Sequence, residues 1–556
     1  MRSFTRTFAL VLTFTLILAA RDPVRTRHAM VVAQEPHATD IGVQVLRQGG
    51  NAIDAAVAVA LALAVTHPSA GNLGGGGFLL ARFADGTSTF IDFRESAPLA
   101  ASRDMYLDAD GQPTRDSVIG WRAAGVPGTV KGLGFAHAKY GRKKWADLAA
   151  PAVNLAADGF EVSYSLSKSL CDSAKDMLPF AESKRIFLKD GAFHQPGERL
   201  VQPELARTLA RIAQEGAREF YEGETARILA EESRKNGGLI TLEDLKGYEA
   251  RERTPLSGSY KGYAILTAPP PSSGGLGLLQ MFGVLEGSGY EKSGAGSAAA
   301  VHYVAETMRR FFADRSEHMA DPDFFKVPVK GLLDPRYIQL LRSSIDPAHA
   351  SSSQRIRPGK PAGYESGETT HFSIVDAEGN AVALTYTINE SYGNGVTVPG
   401  LGFLLNNEMD DFAAKPGTPN QFGLIQGEGN AIEPRKRPLS AMTPTILLRD
   451  NKLYMVLGAP GGPRIINGVA QAILNVIDFG MNIQEAVDFP RFHHQWMPDQ
   501  ISMEKGFSPD TVALLKAKGH TIAPITNVAR LAAIVVDGGW LQGASDGRAD
   551  DKAAGY

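Results

Sequence analysis

The feature of this sequence that most restricts its fold is a paired run of strand-forming residues near the middle, HFSIVDAEGNAVALTYTIN (371–389). Two segments rich in β-branched and aromatic residues flank the five turn-forming residues DAEGN (376–380). This pattern predicts an antiparallel β-hairpin. The hairpin brings the two ends of the stretch close together.

The register of the hairpin decides which residues meet at its open end. If Val375 pairs with Ala381, antiparallel counting places Thr369 opposite Thr387, with their Cβ atoms roughly 5 Å apart. Asn389 then projects to the same face by strand alternation. A slip of one residue would scatter this group, which otherwise combines two hydroxyls and an amide.

A threonine hydroxyl is a weak nucleophile at neutral pH and needs a base. Cleavage between Glu368 and Thr369 would give Thr369 a free α-amine, and such amines titrate at about 7.7–8.0. That amine could activate the hydroxyl of its own residue. The alternative is that Thr369 and Thr370 simply open the hairpin, and from this segment alone it is the favoured interpretation.

The N-terminal segment MRSFTRTFALVLTFTLILAA (1–20) has two early arginines, an apolar run and a small-residue end. This order is typical of a secretory signal peptide, and the apolar run is short for a membrane span. An N-terminal anchor helix is the alternative. We therefore expect export to a periplasm or to the cell exterior.

The composition restricts the class of protein. The 556 residues allow three or four domains or one large composite domain, and 44% hydrophobic with 21% charged residues is ordinary for a globular chain. A net charge of −3 without a basic stripe excludes a nucleic-acid surface. The single Cys171 cannot form an internal disulfide and is predicted to be a small core residue.

Periodicity and turn residues predict the following elements along the chain. They are helices over 28–66, with a buried small-residue helix at 52–65; a strand after GNLGGGG pairing with 87–98; mainly helices over 120–250; a strand running into a loop over 262–275; a helix over 296–320; an exposed linker at 351–368; and strands beyond it until helices near 464–487 and 508–518.

A series of short motifs follows along the chain. They are AGNLGGGGF (70–78), DFRESAP (92–98), PPPSSGG (269–275), ADRSEHMADPDF (313–324), TTHFS (369–373), LLNNEMDDF (404–412), KRPLSAMTPTI (436–446), GAPGGPRII (458–466) and PRFHHQW (490–496). In this order they resemble the γ-glutamyltranspeptidases, which are N-terminal nucleophile hydrolases, over nearly the full length after the signal peptide.

The resemblance implies a fold and a maturation step. The fold is α+β, a four-layer αββα sandwich built jointly from both subunits of a precursor that cleaves itself. Cleavage before the first of the paired threonines would give a large subunit over 21–368 and a small subunit over 369–556, which begins with Thr369. The two chains would form one heterodimer.

The resemblance also implies a site for a γ-glutamyl group, as in glutathione. Its α-carboxylate would be bound by Arg94, with help from Ser440, because a planar guanidinium can contact a carboxylate at two points. Its ammonium would be bound by a second set of residues. That set is Asn389, Glu408 and Asp411.

Further positions match the family's catalytic machinery. The backbone N–H groups of Gly461 and Gly462 would stabilise the oxyanion, and Thr387 would support Thr369. One position departs from the family, where many members have a second serine: here Ala441 leaves only a backbone N–H. The loop 413–431 matches the lid of bacterial members, with Phe422 at the gate position of that lid.

No cofactor and no metal are expected. GNLGGGG lacks the Lys-Ser/Thr of a phosphate-binding loop, and the adjacent His493 and His494 point to opposite faces of a strand. The expected substrates are glutathione and other γ-glutamyl amides, with water, amino acids or peptides as acceptors. Two alternatives are a related glutaryl or amide acylase and, from another class, an exported solute-binding protein.

Overall fold

The computed structural model describes residues 21–358 and 370–556. The predicted signal peptide, the bond between Glu368 and Thr369, and Thr369 itself lie outside these ranges. So does most of the predicted linker; in its described part, 351–358, half of the residues are exposed and Ser353 is buried.

The strands are β1 (Val24–Thr26), β2 (Met30–Ala33), β3 (Gly76–Arg82), β4 (Ser88–Phe93), β5 (Phe160–Glu161), β6 (Arg199–Leu200), β7 (Arg251–Arg253), β8 (Leu256–Tyr260), β9 (Tyr263–Thr267), β10 (Thr370–Val375), β11 (Ala381–Thr387), β12 (Thr445–Arg449), β13 (Lys452–Gly458), β14 (Phe492–His493), β15 (Ile501–Met503), β16 (Ile522–Pro524), β17 (Ala532–Asp537), β18 (Trp540–Ser545) and β19 (Lys552–Gly555).

The α-helices are α1 (Pro36–Arg47), α2 (Ala52–Thr66), α3 (Thr129–Tyr140), α4 (Trp145–Asp158), α5 (Tyr164–Asp172), α6 (Ala174–Met177), α7 (Ala181–Phe187), α8 (Pro203–Glu215), α9 (Arg218–Glu222), α10 (Glu224–Lys235), α11 (Leu242–Gly247), α12 (Gly274–Leu285), α13 (Ala298–His318), α14 (Val329–Leu332), α15 (Pro335–Ser343), α16 (Arg464–Ile477), α17 (Ile483–Asp488) and α18 (Pro509–Ala517). Within the described ranges, none of these helices combines the length and the apolar character that crossing a membrane requires.

Two seven-stranded antiparallel sheets lie face to face at the centre. One has the order β1-β18-β17-β13-β12-β9-β8, and the other has the order β19-β2-β10-β11-β3-β4-β7. An apolar cluster with residues from both sheets, among them Phe78, Phe90, Val456 and Ile534, fills the space between them. Each outer face carries helices, α1 to α4 and α8 on one side and α12, α13 and α16 on the other. The predicted αββα sandwich is confirmed.

Both sheets contain strands from either side of the predicted cleavage point. In the second sheet, β10 and β11 lie between β2 and β3, which come from the first half of the chain. The two halves therefore share one core, and neither half could bury its apolar strands alone.

The hairpin has the predicted register. Val375 pairs with Ala381, and the pairing continues to Thr370 opposite Tyr386, the last described pair. Asp376 fixes the turn, because its carboxylate accepts the backbone N–H groups of Asn380 (2.9 Å) and of Ala52 at the start of α2 (2.9 Å).

The predicted helix at 52–65 is also present, as α2. Every residue of this helix is buried, and a capping box between Asn51 and Asp54 closes its N-terminus. Its small side chains allow the neighbouring helices and the sheet to pack closely around it.

Three predictions were wrong in detail. Residues 30–33 form strand β2, because the β-branched run there pairs with β10 and β19 on both sides. The segment from 388 to 444 consists of long loops and short 3₁₀ turns, which its many Gly, Pro and Asn residues favour. Cys171 is exposed, whereas α5 buries Leu170.

Asp92 at the end of β4 links distant segments. It is fully buried, with its carboxylate 2.5 Å from Arg437 Nη1 and 2.7 Å from Arg253 Nε. It also accepts the backbone N–H of Arg94 (3.0 Å). This carboxylate joins β4, β7 and the segment that leads to Ser440.

We expect Asp92→Asn to lower the free energy of unfolding by about 3–5 kcal/mol, because it leaves the buried Arg437 without its ion-pair partner and removes one of the two carboxylates that contact Arg253. Asp537→Asn is the matched control. Its partner Arg449 is about half exposed, so the loss there should stay below about 1 kcal/mol. Chemical denaturation measures both, and equal losses would contradict the role given to Asp92.

Candidate active site

The predicted site residues that belong to the described ranges lie at one end of the gap between the two sheets. Strand β11 ends at the buried Thr387, whose carbonyl accepts Asn72 Nδ2 (2.8 Å). The glycine run before β3 allows this contact, since a Cβ on Gly75 would lie 1.9 Å from the Thr387 carbonyl oxygen. The end of β11 is thereby held against the loop 70–75.

Asn389 leaves the strand geometry that the sequence predicted for it. Its φ is +71°, and its backbone N–H donates to Thr387 Oγ1 (2.8 Å). Its side-chain amide donates to the carbonyl of Asn407 (3.0 Å), which precedes Glu408. A left-handed turn, and not strand alternation, therefore brings Asn389 to the acidic segment.

Arg94 is the centre of the site. It is fully buried, and its Nη1 lies 2.6 Å from Glu408 Oε2 while its Nη2 donates to Asp411 Oδ2. Nε and Nη2 also donate to the carbonyls of Pro438 and Leu439, both at 3.1 Å. The sequence led us to expect a cation and anions held apart, whereas here they are in direct contact.

A third carboxylate, that of Glu95, lies 3.5 Å from Arg94 Nη1. Burial alone would lower the pKa of the Arg94 guanidinium, but Glu408, Asp411 and Glu95 outweigh it and hold this pKa above its usual range. The three acids surround one cation.

The sequence analysis missed Glu95, although it follows Arg94 directly. Burial raises the pKa of its carboxyl to about 8, opposed by Arg94. Burial likewise raises the pKa of Glu408 well above its ordinary value, again opposed by Arg94. Its adjacency to Arg94 in the sequence was the available signal, and β4 ends at Phe93, so strand alternation does not separate the two side chains.

Ser440 and Ala441 are both fully buried next to this cluster. The backbone N–H of Ser440 donates to Pro271 O (2.9 Å), and its Oγ accepts the backbone N–H of Met442 (3.1 Å). The preceding residue, Leu439, gives its carbonyl to Arg94. The segment 438–441 therefore forms a rigid wall beside the guanidinium.

Gly461 and Gly462 follow β13 and precede α16. Their φ angles are +139° and +59°, and a Cβ on Gly461 would lie 2.9 Å from Val528 O. Neither backbone N–H donates to another residue of the described ranges. Both are available to bind an anionic oxygen.

The glycine pair lies close to the start of the hairpin. Gly458 at the end of β13 packs on the imidazole of His371, where a Cβ would approach to 2.4 Å. His371 follows Thr370 directly, so the end of β13 meets the start of β10 across the gap between the sheets.

The predicted lid segment, 413–431, is attached to the acidic cluster. Asn430 Nδ2 donates to the carbonyl of Asp411 (2.6 Å). Phe422 is half-buried, and its carbonyl accepts Gln495 Nε2 (3.0 Å). Asn430 therefore ties the end of this segment to the acidic cluster.

One group of metal-ligand type occurs among the described residues, away from this site: His302, Glu306 and His520. Its carboxylate already pairs with Arg309 and Arg310, two buried cations that would repel a metal ion. The contacts of this donor set fit a structural role.

The adjacent histidines of the motif PRFHHQW have separate partners, as the sequence indicated. His493 Nδ1 lies 2.7 Å from Asn467 Nδ2, while His494 Nε2 lies 3.5 Å from Asp499. The two rings therefore do not converge on one ion.

Comparison with known proteins gives consistent results. The model of the family described as Gamma-glutamyltranspeptidase matches residues 38–556. The glutathione hydrolase proenzyme of Escherichia coli (strain K12) is 51% identical over 538 residues, which cover 96% of this chain and 93% of that protein.

Solved structures agree in fold. A cephalosporin acylase from Bacillus halodurans superposes with a TM-score of 0.87 at 27% identity, covering 96% of this chain and 97% of that one. The γ-glutamyltranspeptidase of Helicobacter pylori has a TM-score of 0.58 at 43% identity, covering 59% of this chain and 94% of that one.

The raised pKa of Glu95 predicts a pH-dependent stability. The folded protein holds this proton up to about pH 8, whereas an unfolded glutamate releases it near 4.5, so stability falls as pH rises between these values. Glu95→Gln should remove the contribution of Glu95 to this loss of stability. Chemical denaturation at pH 5, 6.5 and 8 measures it. Glu378→Gln is the control, because its exposed carboxylate has a lowered pKa and is ionised throughout this range. Parallel stability curves for Glu95→Gln and the unmodified protein would contradict the assignment.

Proposed function

The chain belongs to the γ-glutamyltranspeptidase family, and from this premise we propose how its residues act. The enzyme hydrolyses glutathione and other γ-glutamyl compounds and transfers the γ-glutamyl group to amino acids or peptides, after self-cleavage of a precursor. The observation that carries the residue assignment is the buried contact of Arg94 with Glu408 and Asp411, at the end of the sheet where β10 begins.

Thr369 is the proposed nucleophile. Its Oγ attacks the γ-carbonyl carbon of the donor while its own α-amine, with a pKa of about 7.7–8.0, takes the hydroxyl proton. The N–H groups of Gly461 and Gly462 hold the resulting oxyanion. The amide C–N bond then breaks, the α-ammonium returns the proton to the leaving amine, and a γ-glutamyl ester of Thr369 remains. Water or an acceptor amine cleaves this ester.

Thr387 is the proposed supporting residue for Thr369. The hairpin register, which pairs Thr370 with Tyr386, supports this assignment because Thr387 is the next residue of β11. Its carbonyl is held by Asn72 and its hydroxyl accepts from Asn389, so its position is rigid.

The glutamyl group is the proposed ligand of the Arg94 cluster. Arg94 and Ser440 bind its α-carboxylate, and Asn389, Glu408 and Asp411 bind its ammonium. The contact of Arg94 with Glu408 and Asp411 supports this proposal, because a zwitterion offers a carboxylate to the guanidinium and an ammonium to the two acids. At residue 441 only the backbone N–H assists, since Ala441 has no hydroxyl.

The proposed maturation has two steps. Residues 1–20 direct export to the periplasm or the cell exterior and are removed, and the bond between Glu368 and Thr369 is then cleaved. The large subunit (21–368) and the small subunit (369–556) remain one heterodimer, which the interleaved strands of both sheets support. No nucleic acid takes part, and no cofactor is required.

A related acylase is the second candidate, favoured by the likeness to the cephalosporin acylase. If the substrate of an acylase lacks the α-amino group, no ammonium is present for a second carboxylate at Arg94 to bind. The presence of both Glu408 and Asp411 therefore favours a γ-glutamyl donor. The solute-binding alternative is set aside, because the matched family and the relatives named above are enzymes.

We expect the purified protein to cleave itself without added protease. Electrophoresis should give two bands of about 40 and about 20 kDa, at ~0.11 kDa per residue, and the smaller chain should begin with Thr369. Thr369→Ala should stay one chain without activity, while the matched variant Thr370→Ser should still be cleaved. A small chain that begins at any other residue would rule out Thr369 as the nucleophile.

The second prediction concerns donor recognition. Asp411→Asn removes a charge-assisted contact worth ~1.5–3 kcal/mol, so kcat/KM for a γ-glutamyl anilide should fall about 10- to 150-fold. The preference for glutamyl over glutaryl anilide should narrow, because the glutaryl group has no ammonium. Arg94→Lys should raise the donor KM strongly, since it keeps the charge and loses the planar fork.

Asp410→Asn is the matched control for this experiment. Asp410 is also buried, but its carboxylate accepts from Ser117 Oγ (2.7 Å) and does not contact Arg94. Ala441→Ser should improve donor binding modestly, because it restores a hydroxyl near the carboxylate. An unchanged glutamyl preference in Asp411→Asn would favour the acylase.

A further inference from the structure

No step of the proposed reaction uses the motif PRFHHQW (490–496). Its side chains belong to a hydrogen-bonded chain that starts on the first turn of α16 and ends on the lid segment (413–431). The members of this chain are Asn467, His493, Gln495 and the backbone carbonyl of Phe422. The helix α16 directly follows the glycines that are proposed to bind the oxyanion, so the chain joins that part of the site to the lid segment.

Two carbonyls fix which end of the Gln495 side chain is the nitrogen. Its Nε2 donates to Phe422 O (3.0 Å) and to Met497 O (3.2 Å), and a carbonyl oxygen can only accept. The other end, Oε1, lies 2.8 Å from His493 Nε2 and must accept a hydrogen from it. His493 consequently carries its hydrogen on Nε2.

The other end of the chain gives the same tautomer independently. Asn467 Nδ2 donates to the carbonyl of His494 (3.2 Å), so this atom is the amide nitrogen. It also lies 2.7 Å from His493 Nδ1, which must accept its second hydrogen. Burial lowers the pKa of His493 to about 3, so the ring is neutral and has one nitrogen that accepts. Every bond of the chain therefore runs in one direction, from Asn467 to Phe422.

The chain ends on a tight turn of the lid segment. Asn420 Oδ1 closes this turn internally, because it accepts the backbone N–H groups of Phe422 (3.0 Å) and Leu424 (3.2 Å). Leu424 is buried in the apolar cluster of the second helix layer, but an apolar contact has no preferred direction. The hydrogen bond from Gln495 to Phe422 O is directional. It therefore sets the orientation in which the turn lies.

Both attachments of the lid segment lead to parts of the proposed site. Near its C-terminal end, Asn430 Nδ2 donates to the carbonyl of Asp411 (2.6 Å) in the acidic cluster. At the turn, Gln495 leads through the chain to α16, whose first residue Arg464 donates from Nε to Gly461 O (2.9 Å). The lid segment is thus fixed both to the acids and to the helix that follows the oxyanion glycines.

We propose that Gln495 is a positioning residue that holds the lid turn, and with it Phe422, in the position that retains the γ-glutamyl donor; the inference rests on the proposed function. His493 and Asn467 keep the Gln495 side chain in the orientation that donates to the lid. Gln495 takes no part in the bond changes at Thr369. Loss of its N–H donor should therefore weaken retention of the donor and leave the chemical step unchanged.

The test removes the donating atom and keeps the shape of the side chain. Gln495→Glu can still accept from His493, but its second carboxylate oxygen faces the Phe422 carbonyl and cannot donate. Chymotrypsin, which cuts after accessible aromatic residues, should therefore cleave after Phe422 about fivefold faster or more, the change that loss of one ordinary hydrogen bond gives. The KM for a γ-glutamyl anilide should rise by a similar factor, while kcat stays within about twofold.

Gln495→Met is a second variant that avoids a new charge, and it should show both changes to a smaller extent. Gln339→Glu is the matched control, because Gln339 is exposed and its side chain contacts residues of its own helix, α15.

Cleavage after Phe422 at the unmodified rate in both Gln495 variants would overturn the proposal, and so would a fall of kcat with an unchanged KM. Cleavage at many sites would also overturn it, since Gln495 would then maintain the whole fold. Turnover of the anilide by the unmodified enzyme tests the proposed function separately, because the rate of cleavage by chymotrypsin is measured without a substrate.

Discussion

The pairing of β10 with both β2 and β11 is the interaction on which the rest of the structure depends. It inserts a hairpin from the second half of the chain into a sheet whose other strands come mainly from the first half. A shift of one residue would exchange the two faces of the hairpin, moving Phe372 and Ile374 out of the helix-side core. The burial of these side chains therefore fixes the residue at which β10 begins. It also places Thr387 at the end of β11, the paired strand.

Electrostatics adds a second constraint at the same end of the sheet. Three buried acids around Arg94 form an arrangement that is costly unless each group keeps its partners. The fold holds it through backbone carbonyls of the segment 438–439 and through Asn430, which ties the lid to Asp411. The stability of the core and the recognition of a zwitterion consequently use the same ion pairs.

The sequence by itself determined the hairpin, the buried helix α2 and the family motifs, because strand alternation, small-residue runs and turn residues act over short distances. It could not determine that Arg94 touches Glu408 and Asp411 directly, that Glu95 joins them, or that Asn389 leaves the strand in a left-handed turn. The contacts of Arg94 join segments more than 300 residues apart in the chain, and only the packing of the two sheets decides which buried charges meet.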